Sequence, residues 1–64
     1  MVWDVYYKIE EMCGKSRGEN IPVHINAVAA ELTIQRDILI EYVLGFQILE
    51  RLKYDDAADQ ITLR

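Results

Sequence analysis

The spacing of the apolar residues changes near residue 51, and this change restricts the folds that the chain can adopt. Between residues 38 and 49 apolar residues recur every three or four positions, as on one face of a helix. After residue 51 they alternate with polar residues instead. The alternation predicts a hairpin in which Leu52–Asp55 pairs with Gln60–Leu63 across a turn at Asp56–Asp59.

Three helices are predicted ahead of the hairpin, near residues 2–13, 26–32 and 35–49. Gly14 is a suitable residue just beyond the first helix, and Asn26 is a suitable N-cap for the second. Residues 15–20 form a polar loop, and the proline-led residues 21–25 predict a short edge strand. The chain is therefore expected to be α+β and mainly helical.

The chain has 64 residues, which suffice for one domain, 1–64. A domain of this length buries a modest share of its surface, and the predicted core must stabilise it. Cys13 is the only cysteine, so no intrachain disulfide can form, and it is expected to be a small buried hydrophobe. The third helix should turn Ile38, Leu39, Tyr42, Val43, Phe46 and Leu49 inward. Across the chain, the residues expected to be mostly buried are Ile9, Val28, Leu32, Leu39, Val43, Phe46, Leu52 and Ile61.

The order of helix, strand, helix, helix and hairpin resembles the winged helix-turn-helix family, and individual residues carry the likeness. In the second and third helices and the turn between them, these residues are Val28, Ala29, Leu32, Ile34, Leu39 and Tyr42. In the hairpin, which corresponds to the wing of that family, they are residues 49–55 and 59–63. The resemblance implies a single winged-helix domain like those of transcription regulators, which dock their recognition helix in the DNA major groove. Two family glycines are replaced, one by Thr33 and one by Glu50 or Arg51.

No group of residues predicts an enzyme, a cofactor or a metal site. Residues 14–16 (Gly-Lys-Ser) lack the earlier glycine of a phosphate-binding loop and follow a helix rather than a strand. His24 has no catalytic partner pattern, and Asp55, Asp56 and Asp59 lack the glutamate of a calcium loop. We expect a non-catalytic cytoplasmic protein with no cofactor, no small-molecule substrate and no membrane contact.

The charge of the helix-turn-helix region argues against tight DNA binding. The whole chain carries a net charge of −4, and residues 26–50 carry −3 with Arg36 as their only basic residue. Affinity for DNA phosphates comes from lysine and arginine. The outward face of the third helix is predicted to carry Ile40, Leu44 and Ile48 with the acids Asp37 and Glu41.

Two hypotheses follow for the function. In the first, the third helix binds a second copy or a partner protein; its interface residues would be Ile40, Leu44, Ile48, Glu41, Trp3 and Tyr7. In the second, the domain is a DNA-binding regulator; its contacts would come from Gln35, Arg36, Gln47, Arg51 and Lys53. The charge balance favours the first hypothesis, and the usual function of the resembled family favours the second.

Overall fold

A computed structural model describes residues 2–64. It is an α+β structure, mainly helical, with three α-helices and a three-stranded antiparallel sheet in its described part. In chain order the elements are α1 (Val2–Cys13), a 3-10 turn (Lys15–Arg17), β1 (Val23–His24), α2 (Ile25–Leu32), α3 (Arg36–Ile48), β2 (Leu52–Asp55) and β3 (Gln60–Leu63). This order is compatible with a winged-helix layout.

The sheet has the order β1-β3-β2, so the last strand lies in the middle. The predicted hairpin is confirmed with its bounds, and Leu52 pairs with Leu63 while Asp55 pairs with Gln60. The predicted edge strand is shorter than expected: only Val23 and His24 pair with β3. The Asp55 carboxylate accepts the N–H groups of residues 57 and 58, which stabilises the wing turn.

The core lies between the helices and one face of the sheet. Seven of the eight predicted core residues are buried, and Leu32 is half-buried against the cluster at the end of α2. The fully buried side chains include Ile9 from α1, Leu39 and Val43 from α3, and Leu52 and Ile61 from the hairpin. Cys13 is buried among them, as expected.

The predicted inner face of α3 was too wide. Ile38 is 44% exposed and Leu49 is 59% exposed, so neither belongs to the core. Ile40, predicted to face outward, is half-buried and packs against the core instead. Ile38 and Ile40 lie on opposite flanks of the buried face, and the core covers only the flank of Ile40. Ile40 shares its flank with Gln47, whose side chain bonds to β2.

The beginning of α2 also differs from the prediction. His24, not Asn26, is the N-cap, and its Nδ1 accepts the Asn26 N–H at 3.1 Å. Because β1 ends at His24, the chain passes directly from strand to helix. The only histidine therefore has a structural contact that its sequence context did not reveal.

All three helices end at a residue with positive φ: Gly14 (85°), Thr33 (55°) and Glu50 (59°). After α2 the Ile34 N–H donates to Ala29 and the Thr33 N–H to Ala30, the bond pattern of a Schellman motif. The same pattern ends α3 at Glu50. Thr33 and Glu50 thus occupy glycine-type positions with residues for which that conformation is costly.

Candidate functional site

The outward face of α3 combines apolar and acidic side chains. Leu44 is 43% exposed and Ile48 is 81% exposed, one helical turn apart on the same face. Asp37 and Glu41 are exposed on this face toward the beginning of the helix, and Gly45 is exposed beside Leu44. The face offers apolar area and negative charge to whatever binds there.

Arg36, the only basic residue of α2 and α3, is bonded to the turn of the β2–β3 hairpin. Its Nη2 donates to Asp59 Oδ1 at 2.8 Å, and the Tyr54 hydroxyl donates to the same oxygen at 2.9 Å. Burial, followed by this bond to Asp59, raises the pKa of Tyr54. The carboxylate thus links the beginning of α3 to β2 and to the turn before β3, and it neutralises a cation that could otherwise contact DNA phosphates.

Gln47 is also used within the domain. Its Oε1 accepts the Tyr54 N–H at 2.8 Å, which satisfies a donor on the outer edge of β2. Reading a base edge would require Gln47 to release that donor, and Gln47 lies on the half-buried flank of α3. This candidate DNA contact therefore has a structural role in joining α3 to β2.

Arg51 lies on an aromatic cluster formed by α1 and α3. Its guanidinium carbon is 5.0 Å from the ring centroid of Trp3 and 5.9 Å from that of Tyr6, a cation–π arrangement. Trp3 packs on Phe46 at 5.8 Å, and Tyr7 contacts Tyr6 at 6.1 Å. Both Trp3 and Tyr7 are exposed; the ring contact of Trp3 joins α1 to α3, and that of Tyr7 is with Tyr6 on the same helix.

Of the five candidate DNA contacts, Gln35 and Lys53 are the two without a side-chain partner among residues 2–64. Gln35 is the N-cap residue of α3 without a side-chain cap bond, and Lys53 is exposed on β2. The acids Asp37 and Glu41 likewise have no ion pair in the described part of the chain. The face is thus left with uncompensated negative charge.

The described residues do not form a candidate metal site, and the thiol of Cys13 is buried. No cluster of three or more His, Cys, Asp or Glu that could hold a metal ion is found among them. Burial raises the pKa of the Cys13 thiol, which disfavours the nucleophilic thiolate, and its Sγ lies 3.9 Å from the Ile61 carbonyl oxygen. Within residues 2–64, no helix has both the length and the apolar character needed to cross a membrane.

Two residues with long-range contacts were not identified from the sequence. The Asn20 amide donates to the Leu63 carbonyl and accepts the Leu63 N–H, both at 2.8 Å, and so extends the sheet beyond β1. Asp59 lies in the predicted turn Asp56–Asp59, and in the structure it bonds to Arg36 and Tyr54. Its backbone has φ 53°, a conformation that aspartate tolerates better than most residues. The position of Asn20 at the end of the polar loop, next to the predicted strand, was its only sequence signal.

Comparison of this chain with protein-family models, with curated proteins and with solved structures finds no match.

Proposed function

We propose that the chain is a non-catalytic winged-helix module that binds protein through the outward face of α3. The observation that carries the proposal is the exposure of Leu44 and Ile48 beside the acids Asp37 and Glu41, which have no ion pair within residues 2–64. A winged-helix protein that reads DNA presents cations and amides on this helix. Here apolar area takes their place, and its burial against another protein is favourable.

The alternative, a DNA-binding regulator, would have fewer free contact residues than the five predicted from the sequence. Arg36 is paired with Asp59, Gln47 bonds to β2, and Arg51 lies on Trp3. Gln35 and Lys53 remain, and one free lysine can neutralise one phosphate. We therefore assign the protein-binding function to this domain in preference to DNA binding.

A titration with labelled duplex DNA at two salt concentrations separates the two functions. We expect binding no tighter than the non-specific range of about 10⁻⁴–10⁻⁶ M near physiological salt. Sub-micromolar binding that weakens steeply with salt and is lost in the double variant Arg36→Ala, Lys53→Ala would overturn the proposal.

Site-specific photo-cross-linking tests the protein-binding face directly. A benzophenone amino acid placed at position 44, in cells that express the chain, should form protein adducts. The matched control is position 21, because Ile21 is also apolar and is 45% exposed against 43% for Leu44. Equal adduct yields at the two positions would contradict a role for α3.

A further inference from the structure

The connection between α3 and β2 is short and strained. It consists of Leu49, Glu50 and Arg51, and Glu50 adopts φ 59°, in the left-handed region. This conformation is unfavourable for an L-residue because its Cβ lies too close to the following carbonyl oxygen. Glycine would avoid the cost, but the chain has glutamate at this position. Straightening the connection would therefore relieve strain that the folded monomer retains.

The residues of the connection favour a straight helix. Leucine, glutamate and arginine are among the residue types with the highest helix propensity, and residues 49–51 are one of each. With helical dihedral angles they would continue α3, and the hairpin (β2 and β3) would move away from the helices of its own chain. The connection between α2 and α3 also contains a left-handed residue, Thr33. Thr33 and Ile34 are β-branched, however, so that connection favours a helix less.

The hairpin is held in place by contacts that the hairpin of a second copy can make equally well. Leu52 and Ile61 are fully buried in the core. β3 pairs with β1, and the Asp59 carbonyl oxygen accepts the Ile25 N–H at 2.8 Å. The Asp59 carboxylate accepts a hydrogen bond from Arg36. All of these contacts join the hairpin to the rest of the chain, whereas the pairing of β2 with β3 is internal to the hairpin.

We propose that two copies of this chain exchange their hairpins, with residues 49–51 extending α3 in each copy. Leu52 and Ile61 of one copy then complete the core of the other, as in a domain-swapped dimer. The interface between the copies is the one that the structure shows within the monomer, and the exchange relieves the strain at Glu50 in both chains. A short connection under strain favours such an exchange. The inference does not depend on the proposed function, although the dimer would present the outward face of α3 twice.

Refolding at two protein concentrations tests the exchange. The hairpin must leave its own core before it can enter another, so the dimer should form while the chain folds and should persist after dilution. Refolding from urea at about 1 mM should give a dimer, and refolding at about 10 μM a monomer, since association follows mass action. Size-exclusion chromatography with light scattering measures both species. A chain that refolds only to monomer at the higher concentration overturns the proposal.

Glu50→Gly and Glu50→Ala test whether the strain at position 50 drives the exchange. Glycine removes the strain from the monomer, which corresponds to about fivefold to thirtyfold in the equilibrium for each chain. Because both chains straighten, Glu50→Gly should raise the dissociation constant about thirtyfold or more. Glu50→Ala removes the same charge but keeps a Cβ, so its dissociation constant should stay within about threefold of the parent value.

Sedimentation equilibrium, after incubation in urea just below the unfolding transition, measures these dissociation constants. Thr33→Gly is the matched control, because it relieves strain of the same kind outside the connection and should leave the dissociation constant unchanged. Equal dissociation constants for Glu50→Gly and Glu50→Ala would overturn the proposal that strain at position 50 drives the exchange.

Paired cysteines on a Cys13→Ala background show whether the hairpin is exchanged. His24 and Gln60 are exposed register partners on β1 and β3, so His24→Cys and Gln60→Cys lie within disulfide reach. In an exchanged dimer this disulfide joins two chains, and the oxidised dimer should remain a covalent dimer on a non-reducing gel. Lys53→Cys with Thr62→Cys is the matched control, because this pair lies within the hairpin and links residues of one chain in either form.

The gel results separate hairpin exchange from contact between intact monomers. Covalent dimers from the 24–60 pair, with none from the 53–62 pair, support the exchange. A dimer fraction whose 24–60 disulfide joins only residues of the same chain overturns it. Neither result depends on partner binding by α3, which cross-linking at position 44 tests separately.

Discussion

Thr33 and Glu50 end α2 and α3 in the left-handed region, and replacing either with glycine should stabilise the fold. That conformation costs an L-residue roughly 1–2 kcal/mol per position. Glycine in turn costs about 0.5–1 kcal/mol through the greater freedom of the unfolded chain. The difference predicts that each substitution raises the free energy of unfolding by about 0.5–1 kcal/mol. Thr33→Gly should give the larger gain because its side chain is β-branched.

Thermal unfolding followed by circular dichroism can measure these gains. For a domain of this size 1 kcal/mol corresponds to roughly 4–8 °C in Tm, so each variant should melt about 2–8 °C higher. Both substitutions should be made in a Leu44→Glu background, because self-association would otherwise make Tm depend on concentration. Glu50→Gln controls for the lost charge.

Two further variants test the physical reason for the gain. Thr33→Ala retains a Cβ at positive φ and should recover less stability than Thr33→Gly. Gly14→Ala should destabilise, because its φ of 85° is strained for alanine and its Cβ would lie 3.0 Å from Glu19 Cβ. The reasoning is refuted if Thr33→Gly melts no higher than Thr33→Ala.

Three other predictions concern the core, the wing and the alkaline limit of stability. Phe46→Ala removes a buried ring and should lower the free energy of unfolding by about 3–5 kcal/mol; a melting point within a few degrees of the parent would contradict this. Asp59→Ala removes the acceptor shared by Arg36 and Tyr54 and should cost about 1–2 kcal/mol in urea unfolding, more than Asp59→Asn, which keeps an acceptor and tolerates positive φ. Burial raises the pKa of Cys13 above its ordinary value of 9.0. The neutral thiol therefore contributes fully to stability below pH 9, and this contribution is lost as the pH rises through the raised pKa. In Cys13→Ala, the decline of stability with pH should therefore begin later, where the tyrosines ionise; an unchanged onset would show that Cys13 does not cause it.

The candidate site could be predicted from the sequence only in part. The period of α3 placed Leu44 and Ile48 outward beside Asp37 and Glu41, and the structure agrees. It also placed Ile40 outward, which was wrong. A period gives the angle of a side chain around its helix, but not which flank a neighbouring strand will cover. That depends on how the other elements pack against α3.

The sequence by itself determined the elements, the hairpin bounds and most of the core, because periodicity, turn residues and burial are set by neighbours a few positions apart. The tertiary structure decided which polar groups meet. Arg36 and Asp59 are separated by 23 positions, and Asn20 and Leu63 by 43. These pairs form only when the helices have docked on the sheet in one register, and a local pattern does not contain that register. The same docking engages Arg36 and Arg51 in contacts within the domain, and it leaves Leu44 and Ile48 of α3 exposed.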